Sequence, residues 1–448
     1  VRKGIEKLRQ EILDKVVEYY GLALDQEPFH PGQTRIPYAG RVFDSTEMVN
    51  LIDAGLEFWL TYGRYSQEFE RKLGDFLGIR HCFLVNSGSS ANLLAFMALT
   101  APELGVRRIQ REDEVITVAA GFPTTVAPII QYGAVPVFVD VDLATANIDT
   151  SWLEPALSER TRAVMIAHTL GNPFNLRGVK GFCHEHGLWL IEDNCDALGS
   201  RYEGRYTGTF GDIGTSSFYP PHHMTMGEGG AVYTDDPRLA RIILSMRDWG
   251  RDCVCPSGVD NLCGRRFGRQ FGELPFGYDH KYIYSHFGYN LKVTDIQAAV
   301  GVAQLDKLPS FIAARQRNWS LLRTGLGELS DKLILPQATV GSDPSWFGFL
   351  LTVREGSGLT RDQIVNQLEA DRIQTRMLFA GNLVKHPCFD EMRAGAQGYR
   401  VVGELKNTDI IMNQSFWVGV YPGMTPEMIE FLVNRIKYHV NAGGSSAS

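Results

Sequence analysis

The chain has 448 residues, is 44% hydrophobic and 21% charged, and carries a formal net charge of −7. That balance is ordinary for a globular protein with a sizeable core, and it speaks against a general nucleic-acid surface. No apolar run approaches the roughly 18 residues of a membrane span, and no charged-then-apolar leader opens the sequence. A cytoplasmic protein of two or three domains, with no membrane or nucleic-acid partner, is expected.

The stretch from Val1 to Tyr19 has helical spacing, with Ile5, Leu8, Ile12, Val16 and Tyr19 on one face. A Pro- and Gly-rich segment then breaks the pattern, so residues 1–34 read as a helical extension that packs on the body or on a second subunit. HCFLVNSGSSANLLAFMALTA reads as strand, turn and helix, and EVITVAA, VPVFVDVD, RAVMIAHTLG and LWLIEDNCDALGS as strands of continuous apolar type. Such runs alternating with helices predict an α/β fold whose mostly parallel sheet is covered on both faces. DIGTSSFYP and GAVYTDD predict two strands flanking a loop. After about Gly301 a long helix leads into FGFLLTVRE and TRDQIVNQLEADR, the texture of a smaller α+β domain. The expected boundaries are a large domain at 35–300, a small domain at 301–440 and a disordered tail at 441–448.

Several motifs then carry chemistry. SGSSAN, Ser87 to Asn92, lies between a strand and a helix, where amides and hydroxyls suit an anion, although such caps are common. IEDNCDALGS puts Asp193 at the C-terminal end of a strand, the edge where ligands of open α/β sheets gather. A carboxylate there either holds a protonated ring nitrogen or caps a helix. Phe122 either stacks on a flat ring or joins the core. Ser217 either donates to a phosphate or ends a strand.

Taken in order with the GEGG turn at Gly227–Gly230, these features resemble the fold-type I, pyridoxal-phosphate-dependent sugar aminotransferase family. PVFVDVD, IEDNCDALG and YNLKVTDIQAA are similar to that family's segments, and the similarity runs from about Arg35 to the end of the small domain. The resemblance implies that the large domain binds pyridoxal or pyridoxamine phosphate. Asp193 would pair with the pyridine nitrogen, Phe122 would stack on the ring, and Gly88, Ser89 and Ser217 would bind the phosphate. Asn290 would reach the phosphate of the partner subunit in a homodimer.

One departure is decisive. An aminotransferase needs a lysine to form a Schiff base and shuttle the proton. The family places it five residues before the first Gly of GEGG, and that position here is His222; no lysine occurs between Lys180 and Lys281. A histidine of near-neutral pKa cannot hold the cofactor covalently but can act as a general base, so pyridoxamine phosphate becomes the resting form and loss of a β-hydroxyl the accessible route. The substitution is similar to that of the His-containing 3-dehydrases of 3,6-dideoxysugar biosynthesis. His222, rather than His223, is the catalytic candidate by register.

Seven cysteines remain. Cys82, Cys183 and Cys388 are scattered, as expected of small buried apolar residues. Cys195, Cys253, Cys255 and Cys263 are spaced C-x57-C-x-C-x7-C, and four thiolates suit either a 2Fe–2S cluster or structural zinc. Spacing alone leaves both open. The pattern, with the flanking RDWGRDC and PFGYDHKY, resembles the iron–sulfur branch of the 3-dehydrases, whose substrate is CDP-4-keto-6-deoxy-D-glucose. That resemblance implies a 2Fe–2S cluster on the four cysteines and a partner NAD(P)H-dependent flavin reductase. Alternatives are a cluster-bearing 3-dehydratase of a dTDP-linked ketosugar served by ferredoxin or flavodoxin, a true aminotransferase, which the lysine gap opposes, and a non-catalytic, zinc-stabilised binding protein.

Overall fold

The computed structural model describes residues 2–23 and 28–443. Residues 444–448, most of the expected disordered tail, lie outside that range, whereas Asn441–Gly443 complete the last helix, α8 (Pro426–Gly443). The large sheet contains β1 (His81–Val85), β2 (Glu114–Val118), β3 (Val135–Val139), β4 (Thr161–Ala167), β5 (Trp189–Asp193), β6 (Ile213–Ser217) and β7 (Gly230–Thr234). The small-domain sheet uses β8 (Leu333–Ile334), β9 (Gly348–Val353), β10 (Thr375–Arg376) and β12 (Ser415–Gly419). The intervening β11 (Arg400–Val401) instead pairs in parallel with β3, giving a large-sheet order of β1-β7-β6-β5-β4-β2-β3-β11. Only β7 runs against its neighbours, β1 and β6, so the sheet is mostly parallel as its apolar strands predict.

The chain crosses the expected domain limits twice. Ile36 bridges to Ile373 and is buried in the small-domain core, and β11 returns residues beyond 301 to the large sheet. Between the strands of the two sheets runs α7 (Asp295–Gly325), a 31-residue helix about 46 Å long. Its first residue, Asp295, is buried and accepts from Gly63 N (3.0 Å) and Ser66 N (2.8 Å). It thereby caps α3 (Arg64–Leu77), whose own N-cap glycine has no side chain to do so.

The N-terminal extension is helical over α1 (Arg2–Ala23), as its spacing predicts. It is tied to α2 (Ser45–Glu57) by Arg9, 2.6 Å from Asp53 and 2.9 Å from Glu57. Its apolar face is not buried: Ile5, Leu8 and Tyr19 are exposed. No helix among the described residues is long and apolar enough to cross a membrane.

Candidate active site

Four elements of the large domain end at one place. After β1, Ser87 caps α4 (Gly88–Ala98) by accepting from Ser90 N at 3.0 Å, which leaves Gly88 and Ser89 at the helix N-terminus. After β2, Phe122 precedes α5 (Pro123–Tyr132), where Pro123 fits the first helical position. Asp193 ends β5 and Ser217 ends β6. All five face a cavity of about 300 Å³, closed from the small domain by Phe347, Arg376, Phe379 and Trp417.

Asp193 is held from several sides. Its Oδ2 accepts from Asn92 Nδ2 and Thr125 Oγ1, both at 2.7 Å, and its Oδ1 from the amide of Cys195 at 3.2 Å. Asn92 is fixed in turn by Thr215 Oγ1, donating at 2.7 Å. Bonds of this kind fix the direction of the side chain. The loop after β6 is pinned by apolar anchors: Phe218, Met224 and Met226 are buried, and Phe218 meets Phe69 edge-to-face at 5.1 Å. Gly227 closes the loop at φ +82°, a conformation only glycine adopts without strain. Between these anchors His222 lines the cavity, its carbonyl accepting from Arg315 Nη2 at 3.0 Å. His223 turns away and is buried against Ser345 O at 2.7 Å. No lysine lines the cavity among the described residues.

The electrostatics depart from a histidine poised near neutrality. Burial pushes His222 down to about 4, with Arg315 adding to the shift and Asp193 opposing it. Asp196, also on the cavity wall, is pushed up to about 8 by burial and then by the Asp193 charge. Its Oδ1 lies 3.5 Å from His222 Nδ1. At pH 7 the pair is therefore a neutral imidazole beside a protonated carboxyl, the state in which His222 accepts a proton. Asp196 and Arg315 carry no motif of their own. Arg315 lies 93 residues from His222 along the chain, so only folding pairs them.

Asp196 also sets a pH dependence. A group titrating above its unfolded value of 3.8 contributes stability that is present at low pH and lost as pH rises towards 8. Between pH 6.5 and 8, above the window in which His222 titrates, the wild-type protein is expected to lose stability relative to Asp196→Asn. The difference should be up to about 2 kcal/mol by denaturant midpoint. Parallel wild-type and variant curves across that range would show that Asp196 is ionised throughout.

The cavity fits a pyridoxal-type cofactor. A Cβ on Gly88 would sit 2.4 Å from Ser217 Cβ and 3.1 Å from Cys195 Sγ, so the glycine keeps the anion end of the cradle open. Phe122 is half exposed at the rim and meets Phe379 edge-on at 6.1 Å. Asn290 is exposed and does not line the cavity of its own chain.

The four cysteines do not come together within one chain. Cys195 lines the cavity, and burial raises its thiol well above the ordinary range. Cys253, Cys255 and Cys263 lie on an arm formed by residues 249–290, no residue of which lines the cavity among those described. Cys253 and Cys255 are mutual neighbours, and Cys263 Sγ is 3.6 Å from His280 Nδ1. Among the described residues, a compact group of three or more potential metal ligands occurs only at Glu154, Glu185 and His186, at the surface. Of the scattered cysteines, Cys183 is buried as expected, Cys82 is partly buried, and Cys388 is exposed, on a short turn at the surface of the small domain.

A mostly parallel sheet with helices on both faces, a strand-end carboxylate and an anion-binding helix start define a fold-type I vitamin B6 protein. Residues 43–437 match the DegT/DnrJ/EryC1/StrS aminotransferase family, and the chain belongs to that family. It is 55% identical to the lipopolysaccharide biosynthesis protein RfbH of Salmonella typhimurium, covering 96% of this chain and 97% of that protein. It is 52% identical to the dTDP-4-dehydro-2,6-dideoxy-D-glucose 3-dehydratase of Saccharopolyspora spinosa, covering 96% and 91%. Among solved structures, the E. coli GDP-4-keto-6-deoxy-D-mannose-3-dehydratase with bound hydrated PLP superimposes with a TM-score of 0.80 at 28% identity, covering 90% and 99%.

Proposed function

We propose that the protein is a pyridoxamine-phosphate-dependent 3-dehydratase of a nucleotide-linked 4-keto-6-deoxyhexose, acting in 3,6-dideoxysugar biosynthesis for lipopolysaccharide O-antigen. The observation that carries this reading is a histidine, not a lysine, at the cavity position of the cofactor loop, within a cradle that is otherwise complete. Asp193 would hold the pyridine nitrogen, Phe122 would cover one ring face, and Gly88, Ser89 and Ser217 would take the phosphate. Once bound, pyridoxamine phosphate would supply an amine able to condense with the C4 ketone and a conjugated ring able to hold the electron pair left by the C4′ proton and return it as the C3 hydroxide departs. His222, neutral in its pocket, would take the proton from the carbon carrying that amine. Without a lysine to capture the cofactor aldehyde, transamination is disfavoured. Arg376, whose guanidinium sits 4.0 Å over the Tyr38 ring at the cavity wall, is available to a diphosphate.

The substrate is most simply CDP-4-keto-6-deoxy-D-glucose. The Saccharopolyspora relative, named for a dTDP-linked sugar, supports a second reading in which the nucleotide is dTDP. Net removal of the C3 hydroxyl consumes two electrons, which calls for an NAD(P)H-dependent flavin reductase, or for ferredoxin or flavodoxin. The four cysteines are the proposed ligands of a 2Fe–2S cluster. The exposed apolar face of α1 and the exposed Asn290 support a homodimer, and a cytoplasmic location is proposed with it.

The test is an anaerobically purified sample examined for metal and spectrum, then given CDP- and dTDP-linked ketosugars with one competent reductase. Dithionite-bleachable visible bands and C3-deoxygenated product are the expected result. Colourless protein with stoichiometric zinc would sink the cluster, and formation of a 4-amino sugar from glutamate would sink the dehydratase.

A further inference from the structure

We infer that the four-cysteine centre is assembled between two copies of this chain, with Cys195 from one copy and Cys253, Cys255 and Cys263 from the other. The inference rests on the proposed cluster and adds where its ligands come from. A cluster held by four thiolates needs all four sulfurs around one core. In a single chain they are held apart by the large domain itself. Cys195 packs at the N-terminal end of α4, its Sγ 3.1 Å from where a Cβ on Gly88 would be. The arm leaves the sheet beside that end, Leu291 O accepting from Asn86 N at 2.8 Å, but it folds back along the large domain towards the other end of α4. His286 pairs with Glu103, beyond the C-terminus of α4, at 2.9 Å, and Asp252, next to Cys253, pairs with Arg241 of α6 (Pro237–Arg247) at 2.9 Å. The 11 residues of α4 put about 16 Å between its two ends.

Neither side is free to cross that gap. Cys195 is fixed by the Asp193 network two residues before it. The arm is fixed by main-chain bonds from Trp249 N to Tyr289 O (2.6 Å) and from Asp252 N to Ile283 O (2.9 Å). Each half is therefore an incomplete thiolate set. Cys195 faces a cavity open to the surface, and the three arm cysteines have no fourth sulfur.

The missing partner is another copy of the same arm or cavity. The arm presents Phe276 at 75% exposure and Phe287 at 100%, with Phe267, Tyr282 and Tyr284 also exposed. Five exposed large aromatic side chains on one arm suit a surface that a partner covers. Under two-fold symmetry one arm laid across the partner's cavity mouth places the reciprocal arm on the other, so both incomplete sets close at once. His280, which holds Cys263 on one ring nitrogen and Asp252 on the other at 2.6 Å, then serves to orient an arm cysteine rather than to complete a site within one chain.

Mixed dimers test this without recourse to turnover. Chains carrying Cys195→Ser and Cys253→Ser are co-expressed under different tags, and the heterodimer is purified anaerobically through both. Shared assembly leaves one intact site, so iron and visible absorption should be about half those of wild type, while each parent homodimer holds almost none. The mirror heterodimer, wild type with the double variant, should hold almost none. The opposite pair of results, none in the first and half in the second, would establish assembly within one chain and overturn the inference. A Cys195→Ser homodimer that kept full iron would also overturn it, pointing to His280 as the fourth ligand. Wild-type protein without iron removes the cluster reading itself, an outcome separate from either. The half-occupied heterodimer serves as its own control for folding.

Discussion

His222→Asn is expected to lower the rate of C4′ proton exchange, and with it turnover, by about 10²–10⁴-fold while leaving cofactor binding nearly unchanged. The two effects separate because His222 is not part of the cradle. In the proposed site the ring nitrogen, ring face and phosphate would be met by Asp193, Phe122 and the Gly88–Ser89–Ser217 group, none of which bonds to the imidazole. The loop would also survive, since Phe218, Met224 and Met226 anchor it and Arg315 bonds to the carbonyl of residue 222, not to its side chain. Asparagine retains a polar group of similar reach but no basic nitrogen. Release of label from C4′ of bound pyridoxamine phosphate into solvent reads the step directly, and the cofactor absorption band reads occupancy. Exchange at the wild-type rate would remove His222 from the chemistry and turn attention to Tyr219, the other titratable group on the same loop facing the cavity.

What the sequence made legible, and what it did not, follows from how far each feature depends on the chain's path. The strands of the large sheet are buried on both faces, so they read as continuous apolar runs, and Asp193 at the end of one of them is visible without a structure. His222 is visible only through the resemblance, which places the aminotransferase lysine five residues before the GEGG turn. Features joining distant segments left no such trace. Asn92, Thr125 and Thr215 converge on Asp193 from two helices and a strand, and each looks like an ordinary polar residue in its own segment. β11 is a two-residue strand in a loop-rich stretch and owes its existence to β3, which supplies the edge it pairs with. The pKa of His222 was misjudged because a residue type carries an ordinary value and only burial beside Arg315 moves it. The cysteine spacing says nothing of where the four thiols lie in the fold. Fifty-seven residues separate Cys195 from Cys253, and that count contains four strands and α6, after which the chain folds back towards Arg241.

Asp193→Asn should be the most damaging substitution that leaves every cysteine and histidine in place, with turnover lower by about 10²–10³-fold or more. The carboxylate has two tasks that an amide cannot share. In the proposed site it would keep the pyridine nitrogen protonated, which would make the ring an electron sink, and it accepts from Asn92 and Thr125 on a single oxygen at 2.7 Å each. An asparagine placed there must either turn its NH2 towards those two donors, losing both bonds in a buried site, or turn it towards the ring nitrogen, which then carries no proton. In the second orientation the bonds from Asn92 and Thr125 survive and only the one from the Cys195 amide is lost, so the protein should fold and bind cofactor with its absorption shifted to that of an unprotonated ring. An analogue whose ring nitrogen is permanently alkylated would then restore part of the activity, because its charge no longer depends on residue 193. Rescue by that analogue in Asp193→Asn but not in His222→Asn would separate the two roles. Equal failure of both would mean that Asp193 acts by shaping the cavity, and the electron-sink assignment would fall.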